Sequence, residues 1–341
     1  MKSKLIGIII CLLLVGTVLP VTGNVIVDKT PLSVVNGNIL YVGGDGPGNY
    51  SRIQDAINDS VDGDTVFVYD DSSPYKESLV IDKSINLIGE NMDTTIIDGQ
   101  KSLDTDIVCI TANNVSIQGF TITGGRSPFS SIFILSNNNT IKGNILSNSS
   151  NGIKLGDTVE VSSNFNIIIN NFIKENNLTG ILLDGSSSNN IISDNIISLN
   201  DAHGIFLRIG DCYSNIIKHN KIFSNAKIGV FLTFDDNFNI IQHNSIFNNW
   251  IGIQIVMSHN NSILENNIYN IGFKAQVLGD IRDLIKGNPI NDNIFDGNYW
   301  GRFILLPKPI FGFYGNTYPF PLIPLVIFDR NPASKPYDIG I

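Results

Sequence analysis

Two sets of side chains carry the chemistry that this chain's spacing allows. Asp194, His219 and His243 all precede an asparagine, and the two histidines are 24 residues apart. In a repeating chain, that interval stacks them on adjacent turns, with Asp194 one turn further. Two imidazoles and a carboxylate form a donor set suited to copper or zinc. The second set is Asp211, Asp235 and Asp236, carboxylates recurring one repeat apart, as a general acid and base for glycoside cleavage would require. Asp184, Arg208, Tyr213, Trp250 and His259 fall at related positions and supply charge and aromatic surface for a sugar chain or Ca²⁺. The plainer alternative for the histidines is a column of polar residues that tolerate a bend. The plainer alternative for the acids is a solvated face.

A repeat must position these residues. An asparagine follows an apolar residue and two variable positions at Asn144, Asn171, Asn195, Asn220, Asn244, Asn267 and Asn293, in steps of 23 to 27 residues. A second column runs five behind it at Asn176, Asn200, Asn225 and Asn249, with Ser149 and Gly272 at its ends. A glycine with β-branched and Leu or Ile neighbours follows, as in Gly180-Ile181-Leu182-Leu183 and Gly204-Ile205-Phe206-Leu207. Self-similarity at this period marks a solenoid. The apolar pieces are three to five residues long, rich in Ile and punctuated by Asn, Ser and Gly, which reads as short strands with tight bends. Asparagine tolerates left-handed backbone, and when stacked it can hydrogen-bond along the axis. A leucine-rich repeat shares the period but prefers Leu and a single asparagine column. The fold class expected is all-β, a single-stranded parallel β-helix. Seven turns at about 4.8 Å each give a core of roughly 35 Å.

The domain reading runs in order along the chain. Residues 1–23 have Lys2 and Lys4, an apolar run and then small residues, the pattern of a secretory signal peptide; an uncleaved anchor is the alternative. Residues 24–38 read as a linker and 39–300 as the β-helix. Residues 301–341 read as a Pro- and aromatic-rich tail whose prolines forbid a continuing ladder. Ser51 has capping-box spacing ahead of a short helix with Ile53, Ala56 and Ile57 on one stripe, a lid for the first turn. Cys109 and Cys212 sit about four turns apart, too far for a disulfide. Charged residues are only 16% and the net charge is −9, which argues against a nucleic-acid partner and suits cations or neutral glycans. Beyond the leader, no segment is long enough to span a bilayer.

The stretch YSRIQDAINDSVDGDTVFVYDDSSPYKESLVIDKSINLIGEN, with the N-x-I-x-x-N-x-I turns, resembles secreted right-handed β-helix proteins of the NosD type, within the pectin-lyase-like group of carbohydrate-binding proteins and sugar hydrolases. The NYWG and NPASKPYDI stretches are similar to the endings of surface members. The resemblance implies a right-handed coil, export to the cell surface or periplasm, and for some members copper as cofactor. The G-H-G and R-I-K motifs of polygalacturonase-like relatives are absent. The expected function is therefore non-catalytic carbohydrate or surface binding by a monomer, its partner a glycan or envelope component. A polysaccharide lyase or hydrolase, or a copper-binding accessory protein, are the alternatives.

Overall fold

A computed structural model describes residues 37–100, 104–157, 161–208, 211–279, 292–302, 306–314 and 323–339. The expected signal peptide and nearly all of the linker lie outside them. From residue 37 onward the chain winds as a parallel β-helix with three faces. The first face stacks strands from Ile39–Val42 through Thr140–Lys142 and Ile216–Lys218 to Ile294–Asp296. The second runs from Ile96–Asp98 to Asn267–Tyr269. The third runs from Leu79–Ile81 through Ile205–Leu207 to Phe273–Gly279. Pairing between turns is parallel and in register, for example Ile216↔Ile240 on the first face and Leu207↔Leu232 on the third. The segments before Asn113 belong to the same faces, since Asn86–Gly89 pairs directly with the strand at Ser116.

Most strands are three residues long and turn one apolar side chain inward. Ile217, Ile241, Ile222 and Ile246 are fully buried, as are the inward pair Ile205 and Leu207 on the third face. Burying each such side chain is worth about 1.5–3 kcal/mol, and like stacks on like, so each turn's apolar rim is covered only by its neighbours.

Most corners from Asn138 onward follow one rule: a residue with left-handed backbone, then an asparagine turned inward, with Ser149 in that place on one turn. At the first corner the left-handed residues are Gly143, Asn170, Asp194, His219, His243, Glu265 and Gly297, with φ from 52° to 69°. The asparagines behind them form a continuous ladder. Asn195 Nδ2 donates to Asn220 Oδ1 (3.0 Å), Asn220 Nδ2 to Asn244 Oδ1 (3.0 Å) and Asn244 Nδ2 to Asn266 Oδ1 (3.0 Å). Each side-chain oxygen also accepts the preceding rung's backbone N–H, as Asn244 Oδ1 does from Asn220 (2.9 Å). All are buried and all are satisfied, which buried amides require.

The contacts correct three register assignments. The first ladder ends through Asn266 and Asn298, not Asn267 and Asn293. The second ends at Asn270 rather than Gly272, because Asn249 Nδ2 donates to Asn270 Oδ1 (3.0 Å). A third ladder joins Asn139, Asn166, Asn190, Asn215, Asn239, Asn261 and Asn293. The glycine column has a packing cause. A Cβ on Gly180 would lie 2.6 Å from Ile197 Cγ2 and 2.7 Å from the Gly204 carbonyl oxygen, so a side chain there would force the turns apart.

Both ends are closed. The helix Ile53–Asp59 buries Ile53, Ala56 and Ile57 over the first turns, as expected, but Ser51 does not cap it. Glu77, a turn later, accepts the Ile53 and Gln54 amides at 2.8 and 3.2 Å. At the other end the expected irregular tail is instead an antiparallel hairpin, Lys308–Tyr314 with Ile323–Asp329. It continues the third face in parallel with Phe273–Gly279. Pro309 is tolerated because only Gly312, Phe313 and Tyr314 pair with that face. Residues 331–339 then fold back on the chain's own turns. The Asn267 side chain donates to the Tyr337 carbonyl and accepts its N–H, both at 2.8 Å. Cys109 and Cys212 are free thiols. Among the described residues, no helix is long and apolar enough to cross a membrane.

Candidate functional site

From residue 140 onward two corners of each turn keep a near-constant length, while the third, between the third and first faces, varies. Eleven positions separate Leu155 from Ile167, seven separate Leu183 from Ile191, and five separate Val256 from Ser262. Variable loops on a rigid scaffold are where binding residues concentrate. The structure brings most of the predicted ligand residues to this corner. Asp211 and Asp235 are exposed there in left-handed backbone (φ 58° and 68°). Tyr213, Phe234 and Phe238 expose 46%, 41% and 57% of their surface, and Phe165 lies on an earlier turn of the same corner. Aromatic rings left this open are available to a ligand.

Asp184 and Arg208, on successive turns, form a close ion pair, with Asp184 buried and the guanidinium partly open. His259 Nδ1 lies 3.3 Å from Asp292 Oδ1. Trp250 is elsewhere: it stands at the second corner, after Asn249, with Gly272 backed against its indole. Phe165 and Phe238 escape a motif search because each occupies a bend position where polar residues are the norm.

Asp236 has a different environment from its neighbours. Its carboxylate is fully buried and accepts the Thr233 amide (2.7 Å) and the Cys212 amide (3.1 Å). Burial pushes its pKa up to about 8 against those two hydrogen bonds, with Asp211 and Asp235 adding to the rise. It clamps backbone between turns, so the three carboxylates do not meet as a solvent-facing set. On the third face, Phe206 and Phe231 stack at 4.8 Å and 11°. Their faces are turned on each other, so the pair presents ring edges outward. His203 lies against both rings (5.0 and 5.2 Å). Burial lowers its pKa to about 4, helped by Lys227.

The histidine column forms as the spacing requires, but not as a metal centre. His219 and His243 stack with centroids 5.4 Å apart and planes 29° apart. Near-parallel rings at that distance hold equivalent nitrogens about 5 Å apart, whereas one metal with bonds of about 2.0 Å spans at most roughly 4 Å between donors. His243 Nε2 is engaged by Glu265 Oε2 at 2.6 Å, the residue before the Asn266 rung on the next turn. Among the described residues, no three His, Cys, Asp or Glu side chains converge as a ligand set. These residues do not fit copper.

A parallel coil with stacked asparagine corners and one variable flank defines the right-handed, pectin-lyase-like class of β-helix. The chain belongs to the NosD family, described as periplasmic copper-binding proteins, whose model matches residues 57–303. Among solved structures it is similar to an alginate lyase from Paenibacillus sp. str. FPU-7, with 14% identity over 75% of this chain and 95% of that one, TM-score 0.59. It is also similar to the A-module of the mannuronan C-5 epimerase AlgE6 from Azotobacter vinelandii, with 17% identity over 74% and 82%, TM-score 0.56. Pectate lyase Pel9A matches at 13% identity over 76% and 79%, TM-score 0.52. At these identities the likeness is one of fold. No curated protein matches the chain in sequence.

Proposed function

We propose that this protein is exported and holds a polysaccharide along its variable corner without cleaving it. One observation carries the reading: Tyr213, Phe234 and Phe238 present open ring faces within one flank, interleaved with Asp211, Asp235 and Arg208. Apolar ring faces beside a few polar groups are what sugar rings bind, through their C–H faces and hydroxyls respectively. Asp236 is enclosed, so of the three carboxylates only Asp211 and Asp235 stand open to a bound chain. Export is supported by the leader-like residues 1–23 and by the periplasmic description of the family.

The test is affinity electrophoresis of the mature chain in gels containing alginate, pectin and neutral glycans. The expected result is retardation by at least one polymer, weakened about tenfold in Tyr213→Ala/Phe238→Ala, with no release of reducing ends or unsaturated sugars. Steady product release that Asp211→Asn abolishes would replace this reading with a lyase or hydrolase.

A further inference from the structure

On the opposite side of the coil from the variable corner's loops, the returning segment 336–339 leaves a cleft against the second face. Its volume is about 360 Å³, and it is lined by Lys221, Ser245, Phe247, Tyr269, Tyr337 and Asp338. The wall is anchored. Tyr337 is held to Asn267 through its backbone, and its hydroxyl donates to the Gly297 carbonyl at 2.6 Å. The floor is Phe247 and Tyr269, stacked at 5.4 Å, and Phe223 continues the stack beyond the cleft at 4.9 Å from Phe247. The Tyr269 and Ser245 hydroxyls lie 3.4 Å apart at its edge. Lys221 makes only a long contact with the Phe223 ring, at 5.7 Å. Among the described residues, neither Lys221 nor Asp338 forms an ion pair.

We propose that this cleft binds one neutral hexopyranose unit. The volume stands at the low end for ligand sites, the size of a single ring rather than a chain. An ammonium, a carboxylate and two hydroxyls border it without neutralising one another. A polyol satisfies all of them, because each sugar hydroxyl both donates and accepts. An anionic sugar would meet Asp338 and a cationic one Lys221. The ring edges below give the pyranose an apolar floor. The cleft shares no residue with the variable corner, so it stands or falls separately from the polysaccharide reading.

The experiment is saturation-transfer NMR on the mature full-length chain with glucose, mannose, galactose and galacturonate. Saturable binding of at least one neutral hexose is expected with a Kd on the order of 1–10 mM, the range for so small a ligand. Lys221→Ala and Asp338→Asn should each weaken it about tenfold, while Tyr213→Ala/Phe238→Ala leaves it unchanged. Matching melting temperatures would exclude misfolding of the variants. No saturable binding by any neutral hexose up to about 50 mM, tighter binding of galacturonate than of every neutral sugar, or indifference to both cleft variants would overturn the proposal.

Discussion

Asn298 and Asp329 meet where the first asparagine ladder ends: the Asn298 side-chain and backbone N–H groups both donate to Asp329 Oδ2, at 3.1 and 3.0 Å. The same oxygen accepts Trp300 Nε1 at 2.9 Å. A buried carboxylate thus stands in for the next rung. Asp329→Ala leaves two buried donors, the Asn298 backbone N–H and Trp300 Nε1, without a partner, at about 1–3 kcal/mol each before relaxation, while Asn298 Nδ2 keeps the Ile263 carbonyl. A loss of several kcal/mol in urea unfolding is expected, with Asp329→Asn losing less. A neutral effect of the alanine would mean that the ladder needs no terminator.

The bend position before each rung makes a second prediction. His219 has φ 54°, where a β-branched side chain is strained by about 1–2 kcal/mol relative to glycine. His219→Val should lower the melting temperature and His219→Gly should not. Equal behaviour of the two would show that the imidazole stack, rather than the backbone, governs the site.

The half-buried His203 and the buried Asp236 set opposite slopes of stability against pH. The His203 pKa is lowered to about 4 by burial. As pH falls from about 6.5, the unfolded chain takes up the proton first and stability drops until about pH 4. The Asp236 pKa is raised to about 8, again mainly by burial. Between about pH 4 and 8 the unfolded carboxyl ionises while the folded one retains its proton, so stability falls as pH rises through that window. His203→Phe should flatten the acid slope and Asp236→Asn the alkaline one, read as melting temperature across pH 4–9. Unchanged slopes would assign the pH dependence to other groups.

The ring geometry of His219 and His243 gives a result for copper. Titration calorimetry with Cu²⁺ should look the same for the wild type and for His219→Ala/His243→Ala, and chelators should leave the melting temperature where it was. Stoichiometric binding lost in the double variant would show that the column rearranges to hold a metal.

The coil itself was legible because the asparagine cadence and the short isoleucine strands point to one geometry. Its fine register was not. Asn266 and Asn267 are adjacent and chemically identical, so only the contact to Asn298 shows which is the rung, and with that choice Glu265 moved out of view. The third ladder was hidden for the same reason, since Asn215 and Asn239 also precede isoleucines as ordinary repeat residues. The helix cap at Glu77 lies a full turn from the amides it serves, beyond any local motif. The prolines of the tail read as breakers, yet Pro309 precedes the residues that join the parallel sheet. Of the candidate site, the flank holding Asp211, Tyr213 and Asp235 was predicted together. Trp250 and Asp236 were not separable from it, because the corner a side chain occupies and the direction it points are set by loop length.

Every rung donates toward the carboxyl-terminal turns, so the columns are polar like aligned peptide dipoles. At one extremity the first ladder's leading oxygen accepts the Phe120 amide, and at the other its last donors are taken by Asp329. Two such molecules could be spliced only nose to tail, each continuing the other's threads. Asp329 occupies the socket where the next molecule would plug in, and the hairpin around it makes the coil finite.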